Sequence, residues 1–272
     1  MNDLVILEAG LICPLGGLAD FERAWPPAAS PPKAIPAEIL AGALANLPGL
    51  GPNLRRIPRL TRLALAALAP LAPRRDDSSQ ALVLATAYGS TTATFEFLDS
   101  LLRDGPDLAS PTAFAHSVTN MAAALLGLHL GLAGPALTVT NFSLTPALEA
   151  AAALLTAGGM ETVFLGAAAE LSPVMAEVEA LAGRVVSSPL EGAVFFRLGL
   201  ATASTPGALR LVLADGPEAE TPDMETEETY LGRGPLASAW RLALALRRLK
   251  AGSGPELAFP GERFRLAGGE HA

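Results

Sequence analysis

Residues 110–169 contain the feature that most limits the folds available to this chain. Two Ala-rich apolar helices are joined there by a Gly-Pro break and a short strand at 137–140 that is rich in β-branched residues. Thr145 then offers an N-cap for the second helix, and Pro146 suits its first helical position, which needs no N–H. The pattern therefore predicts a sharp strand-to-helix turn, with Ser143 at the bend.

Short apolar runs alternate with helical patterns along most of the chain. Residues 81–85 are uninterruptedly apolar, which is typical of a strand covered on both faces. Residues 57–71 repeat apolar positions at the helical period. A short strand is predicted at residues 4–7, followed by a loop at 10–17. The alternation predicts one α/β domain with a mixed sheet flanked by helices.

The chain is predicted to be a single domain over residues 1–272. Its core spans about 4–214, and an acidic, Pro-containing run at 215–234 is predicted to be a solvated loop. A helix and a small hairpin follow at 235–267, and the region from Ala237 is expected to cover part of an otherwise exposed face of the core.

The uncharged segment 121–140 is long enough to span a bilayer. Its Gly134-Pro135 break and β-branched end instead favour helix, turn and strand. Asn120 can cap a helix running to about Leu130. Its expected buried positions are Met121, Leu125, Leu128 and Leu132. The protein is accordingly predicted to be soluble and cytoplasmic, with no membrane partner.

Composition excludes several classes of site. The formal net charge of −8 argues against a nucleic-acid partner, and the local basic group is interpreted as a solvated helix face. That group comprises Arg55, Arg56, Arg59 and Arg62. The single cysteine, Cys13, excludes an internal disulfide and is interpreted as a small buried thiol. No His or Cys spacing suggests a metal site, and no cofactor is predicted.

The order of elements resembles the N-terminal half of β-ketoacyl synthases of the thiolase-like fold. The similarity covers about residues 4–199 and is most specific at 110–169, including the Ser-Pro-Thr-Ala-Phe run at 110–114. The tail from Ala237 is similar to short, half-length ketosynthase-like proteins, which look like chain length factors of type II polyketide systems, notably aryl polyene pathways. Departures from the enzyme pattern include Thr119, where His is frequent, and Pro146, where ketosynthases carry Gly.

The resemblance implies that the catalytic groups are missing. Ketosynthases place a nucleophilic Cys at the bend, where this chain has Ser143, and they supply two histidines from a C-terminal half that this sequence does not match. Of the three histidines, only His116 lies in the loop that approaches the acyl site in the family. Serine is a weak nucleophile without a base. The chain is therefore not expected to be active alone.

The family also implies a partner surface. In thiolase-like dimers the strand before the bend pairs antiparallel across the two-fold axis, which here assigns the dimer strand to Leu137, Thr138, Val139, Thr140 and Asn141. Side chains expected at the acyl tunnel or the interface are Phe114, His116, Phe142 and Leu144. A non-catalytic subunit at this place completes the partner's tunnel and limits its length.

The leading hypothesis is therefore a chain-length-factor-like subunit that forms a heterodimer with an active β-ketoacyl synthase, with acyl carrier protein as a further partner. Two alternatives stay open at this point. One is a serine acyltransferase or hydrolase using Ser143, although no Gly-x-Ser-x-Gly pattern is present. The other is a homodimeric scaffold protein with a thiolase-like fold.

Overall fold

A mixed sheet forms the centre of the computed structural model, which describes residues 4–24, 34–45, 47, 56–181, 191–201, 209–213, 235–250, 256–259 and 262–267. Its strands are β1 (Leu4–Cys13), β2 (Gly16–Gly17), β3 (Gln80–Thr86), β4 (Ala136–Thr140), β5 (Thr162–Ala169), β6 (Gly192–Leu200), β7 (Leu209–Leu213), β8 (Glu256–Ala258) and β9 (Phe264–Ala267). Their spatial order is β4-β3-β5-β6-β1-β7-β9-β8, with β2 paired to β1.

The helices within the same residues are α1 (Leu18–Ala24), α2 (Ala37–Leu44), α3 (Arg59–Leu68), α4 (Thr91–Asp104), α5 (Pro111–Ser117), α6 (Met121–Leu130), α7 (Thr145–Thr156), α8 (Pro173–Leu181) and α9 (Pro235–Lys250). Short 3₁₀ turns occupy Ala69–Leu71 and Pro106–Leu108. None of the helices in this part of the chain combines the length and the apolar character that crossing a bilayer requires.

Strand direction divides the sheet into two parts. Strands β4, β3 and β5 are parallel, whereas β6, β1, β7, β9 and β8 follow one another antiparallel. Every residue of β3 is buried, because helices cover both faces of the parallel part. The expected mixed sheet flanked by helices is confirmed.

The two faces of the sheet carry separate hydrophobic cores. Leu82 and Leu84 point to a core shared with α2, α3 and α6. Ala81 and Val83, one residue out of step, point to a core shared with α1, α7 and α9. This alternation is the two-residue period of a strand, so each parallel strand contributes apolar side chains to both layers.

The C-terminal elements complete the second of these cores. Helix α9 begins at Pro235, and its side chains are buried from there to Leu246, with Trp240 fully enclosed. It packs on the same sheet face as α7. Strands β8 and β9 pair antiparallel and extend the sheet beyond β7. They correspond to the small hairpin predicted within residues 235–267. The acidic run predicted at 215–234 lies outside the described residues.

Strand β1 is longer than its sequence suggested. The predicted loop at 10–17 begins within the strand, because β1 continues to Cys13 and pairs with β6 as far as Ile12. The extension is not predicted because Gly10 is interpreted as the start of a loop, since glycine is a strong turn signal. Here a Cβ at Gly10 would lie 2.1 Å from the carbonyl oxygen of Ala67 in α3, so the glycine permits close helix-to-sheet packing.

The buried face of α6 also differs from the expectation. Its buried residues are Ala122, Ala123, Leu126 and Gly127, whereas the predicted core residue Leu128 is 72% exposed. The small side chains let α6 approach α3 and the sheet closely, which favours this register over the more apolar one. The side chain of Asn120 forms no capping hydrogen bond. Leu128 therefore lies on the surface of the described structure.

Candidate functional site

The chain turns from β4 into α7 over residues 141–145, which we call the elbow. The N–H of Asn141 donates to the carbonyl of Thr86 at 3.1 Å and ends the pairing with β3. Its side-chain oxygen then accepts from the N–H of Ser143 at 2.9 Å, an Asx turn that reverses the chain locally. Helix α7 begins at Thr145, with Leu144 rather than the predicted Thr145 at the N-cap position. The sharp bend expected around Ser143 is present.

The carboxylate of Glu262 occupies the N-terminus of α7. Its Oε1 accepts from the N–H of Leu144 and its Oε2 from the N–H of Thr145, both at 2.8 Å. Oε2 also accepts from the hydroxyl of Ser143 at 2.8 Å and from that of Thr145 at 2.6 Å. Glu262 is 2% exposed. The first N–H groups of a helix lack partners within the helix and favour an anion, and here the same chain supplies it.

Neighbouring contacts hold this carboxylate in place. The N–H of Arg263 donates to the hydroxyl oxygen of Thr145 at 3.0 Å, and its guanidinium donates to Glu149 of α7 at 2.6 Å. The N–H of Glu262 itself donates to the carbonyl of Phe259 at 3.2 Å. Phe259 and Phe264, on either side, are buried in the core. Glu262 and Arg263 are therefore tied to the elbow by hydrogen bonds, and the adjacent Phe264 lies in the same core as Leu144.

The chemistry available at Ser143 is limited by these partners. Its hydroxyl donates to Glu262, and no hydrogen bond joins it to His116 among the described residues. The N–H groups of Leu144 and Thr145, which could stabilise an oxyanion, already donate to the same carboxylate. Within the described part of the chain, Ser143 therefore has no histidine base, and the neighbouring N–H groups are not free to stabilise an oxyanion.

The predicted tunnel and interface residues separate into two environments. Phe114 and Phe142 are 56% and 55% exposed, and His116 is half-buried. Leu144 is fully buried in the core beneath the elbow. The first three therefore remain available for contact with another molecule, whereas Leu144 supports the elbow from inside.

Exposed apolar side chains surround the end of β4. Phe142 forms an edge-to-face pair with Tyr88, the ring centroids being 5.4 Å apart, and Phe114 packs against Phe97 at 5.5 Å. Other exposed apolar residues on β4 and on the segments that include α4, α5 and α6 are Leu98, Leu102, Leu108, Val118, Leu128 and Leu137. Exposed apolar side chains that gather on neighbouring elements are typical of an interaction site.

Strand β4 forms one edge of the sheet. Among the described strands it pairs only with β3. Because Asn141 donates to β3 and alternate residues of a parallel strand share one hydrogen-bonding direction, the N–H groups of Thr138 and Thr140 point away from β3. The predicted dimer strand thus has unpaired backbone donors on its outer side.

A second polar cluster lies where α3 and α4 begin. Glu170, directly after β5, accepts from the N–H of Leu60 at 2.9 Å and from that of Thr92 at 2.7 Å. Burial raises the pKa of this carboxyl group, although these hydrogen bonds oppose the rise. Sequence reasoning missed Glu170, and its position directly after a buried apolar strand was the available signal. Like Glu262, it is a carboxylate that occupies helix N-termini from a distant position.

The basic group at 55–62 is only partly a solvated face, because Arg56 is exposed whereas Arg59 and Arg62 are half-buried. The guanidinium of Arg59 donates to Glu191 at 2.6 Å, and Glu191 is fully buried. Arg62 is half-buried, and desolvation followed by repulsion from Arg59 lowers its pKa. The buried carboxylate of Glu191 therefore compensates the charge of Arg59, the first residue of α3. Arg55 lies outside the described residues.

Within the described residues, no candidate metal centre competes with the elbow as the functional site. The described ranges contain no group of three His, Cys, Asp or Glu side chains that could hold a metal ion. Of the histidines, His129 is half-buried in α6 and desolvation lowers its pKa, and His271 lies outside the described residues.

Comparison with known proteins points to one family. The family model described as β-ketoacyl synthase, N-terminal domain, matches residues 23–228. No curated protein sequence matches the chain significantly.

Solved structures show the same architecture. The ishigamide ketosynthase/chain length factor is similar with a TM-score of 0.62 and 23% identity, over 78% of this chain and 67% of that one. The structure of the ketosynthase ApeO in complex with its chain length factor ApeC from Xenorhabdus doucetiae is similar with a TM-score of 0.69 and 19% identity. The match covers 99% of this chain and 100% of that one. The structure of a type II PKS acyl-carrier protein in complex with its ketosynthase bound to the hexaketide is similar with a TM-score of 0.68 and 14% identity. The match covers 98% of this chain and 99% of that one. At these identities the similarity establishes the fold.

Proposed function

The chain belongs to the family of β-ketoacyl synthase N-terminal domains, and we propose that it is a non-catalytic, chain-length-factor-like subunit that pairs with an active β-ketoacyl synthase. The pair would elongate polyketide or fatty-acid-like chains in the cytoplasm, on substrates carried by acyl carrier protein. The observation that carries this proposal is the elbow, where Ser143 stands in place of a thiol and Glu262 occupies the helix donors.

Carbon–carbon bond formation in this family requires an acyl group on a nucleophile at the elbow. Serine needs a base to become nucleophilic, and the partner of Ser143 is a carboxylate whose two oxygens accept four hydrogen bonds in total. An acyl oxyanion would also need the N–H groups that Glu262 occupies. The condensing nucleophile therefore belongs to the partner, and the serine acyltransferase alternative is disfavoured.

The surface beside the elbow supports a role in pairing. Outward N–H groups on β4 suit the addition of a strand from another subunit, and the exposed side chains of Leu137, Phe142 and Tyr88 surround the same edge. Helix α4 has Thr91 as its only buried residue, so its apolar side chains Leu98 and Leu102 are available as well. A partner that adds a strand to β4 would cover this apolar surface.

Solved relatives give this arrangement a precedent. Two of the similar structures are described as a ketosynthase with a chain length factor, and a third contains a ketosynthase with its acyl-carrier protein. For this chain we assign Phe114, His116 and Phe142 to the interface or the acyl tunnel. Their exposed or half-buried side chains could then limit the length of a chain held by the partner.

The pairing can be tested with two substitutions at one position of β4. Thr138→Pro removes an outward N–H, whereas it leaves the donors that bind β3, and proline is tolerated on edge strands. Thr138→Val keeps the N–H and the branched shape, and the hydroxyl that it removes has no hydrogen-bond partner. Each variant is co-expressed with an active β-ketoacyl synthase encoded nearby, and the complex is quantified after affinity purification.

We expect the wild type and Thr138→Val to retain the partner, and Thr138→Pro to reduce its recovery by about tenfold, since the lost N–H leaves an acceptor of the added strand without its hydrogen bond. Molar mass in solution distinguishes the homodimer alternative. A stable homodimer that excludes the ketosynthase, or equal recovery with all three chains, would contradict the proposal.

A further inference from the structure

We infer that Glu262 is an internal ligand of the elbow that prevents residue 143 from accepting an acyl group. The carboxylate stands where an incoming acyl oxygen would need hydrogen-bond donors. The inference deepens the proposed non-catalytic role and rests on it. It adds that the elbow is blocked by the side chain of Glu262, in addition to having no thiol at residue 143.

The contacts of Glu262 resemble those of a bound anion. Two backbone N–H groups and two hydroxyls, from Ser143, Leu144 and Thr145, donate to its oxygens at 2.6–2.8 Å. The side chain is almost fully enclosed. Because the N-terminus of a helix carries partial positive charge, this position stabilises one negative charge, and Glu262 already provides it.

The chain positions Glu262 before any substrate arrives. Strand β9 begins two residues later and pairs with both β7 and β8, and the N–H of Arg263 donates to the hydroxyl oxygen of Thr145 at 3.0 Å. Displacing the carboxylate would leave the buried N–H of Leu144 without a partner and the N–H of Thr145 with only the hydroxyl oxygen of residue 143 as acceptor. An acyl group would have to compete with a ligand that is tethered at the site.

A thiolate at residue 143 would be repelled by the carboxylate of Glu262. A helix N-terminus ordinarily lowers the pKa of a cysteine thiol, but a carboxylate within hydrogen-bonding distance raises it. Restoring the missing sulfur by Ser143→Cys should therefore give an unreactive thiol. Removing the charge of Glu262 as well should make that thiol reactive.

The experiment measures alkylation of Ser143→Cys by iodoacetamide at pH 7.5, in the isolated chain. The thiolate displaces iodide, a carbon–sulfur bond forms, and the modified peptide is quantified by mass spectrometry separately from that of buried Cys13. The variants are Ser143→Cys alone, with Glu262→Gln, and with Glu149→Gln. Glu149 is the matched control because it also lies near the start of α7 but is exposed and binds Arg263.

We expect Glu262→Gln to raise the alkylation rate by about tenfold or more, since each unit of pKa changes the thiolate fraction about tenfold. Glu149→Gln should change it by less than about twofold, because an exposed charge is screened by solvent. Equal rates in Ser143→Cys and its Glu262→Gln double variant would overturn the inference.

Occupation by a free anion provides a second readout. In Ser143→Cys with Glu262→Ala, sodium formate should enter the vacated position and slow alkylation by about threefold or more, whereas sodium chloride at equal ionic strength should not. Equal rates in the two salts would contradict an anion site at the elbow. Circular dichroism verifies folding, and if the Ala variant does not fold, the Gln variant decides the question alone. Since the ketosynthase is absent, failure of these tests is distinct from failure of the pairing test.

Discussion

The hydroxyl of Ser143 donates a hydrogen bond of 2.8 Å to the carboxylate of Glu262, 119 residues further along the chain. The contact joins the bend after the edge strand to the segment between β8 and β9. It also explains how a helix N-terminus beside a buried core satisfies its donors without a ligand. A position that can bind an anion in catalysis is used here to hold the C-terminal hairpin.

Glu262→Ala is expected to reduce the free energy of unfolding by about 3 kcal/mol. The substitution leaves the N–H of Leu144 without a partner, and the N–H of Thr145 keeps only its longer bond of 3.1 Å to the hydroxyl oxygen of Ser143. An unpaired buried donor costs roughly 1–3 kcal/mol. Urea unfolding followed by circular dichroism measures the change. Glu149→Ala, which removes an exposed ion pair, should cost less than about 1 kcal/mol. Similar losses in the two variants would contradict a special role for Glu262.

Glu191→Ala is expected to be the more damaging of two ion-pair removals. Glu191 is fully buried and accepts hydrogen bonds from Arg59 and from the N–H of Ile35. Removing one partner of a buried pair leaves an uncompensated charge and costs about 3–5 kcal/mol. The matched variant is Glu161→Ala, because Glu161 pairs with Arg74 at the surface and should cost below about 1 kcal/mol. Both values come from the same urea titration.

Cys13 should make stability depend on pH in the alkaline range. Burial raises the pKa of its thiol from an ordinary value of 9.0 to about 11. The folded state therefore holds the proton more tightly than the unfolded state, and stability is lost as pH rises from about 9 to about 11. A pKa difference of two units corresponds to a loss of roughly 3 kcal/mol in the free energy of unfolding. Unfolding free energies at pH 8 and pH 11 should differ less in Cys13→Ala than in the wild type, and an equal difference would disprove the assignment.

Gly166→Ala is expected to destabilise the sheet by roughly 2–3 kcal/mol. A Cβ at Gly166 would lie 2.2 Å from the ring of Phe195 on β6, and overpacking of this kind forces strained rotamers. The second substitution Phe195→Leu removes the ring and should restore part of the loss. Thermal unfolding of both single variants and the double variant measures this coupling. If the stability losses of Gly166→Ala and Phe195→Leu simply add in the double variant, the ring of Phe195 does not restrict the size of the side chain at residue 166.

Much of the local structure was predictable from the sequence. The predicted helix at 57–71 contains α3, and the uninterrupted apolar run at 81–85 marked β3. Helical and strand periods determine which side chains share a face, so they are visible within ten or so residues. The register of α6 was not predictable in the same way, because small residues rather than leucines face its neighbours. Close packing between helices decided that choice.

The sequence by itself determined the alternating elements, the bend at Ser143 and the absence of a thiol there. Only the tertiary structure decided that Glu262 caps α7, that Glu170 caps α3 and α4, and that β4 lies at the edge of the sheet. Local periodicity records which faces are apolar, but it contains no information on which distant carboxylate reaches a given helix N-terminus. That pairing depends on strand order and on the hydrophobic packing that brings the two ends of the chain together.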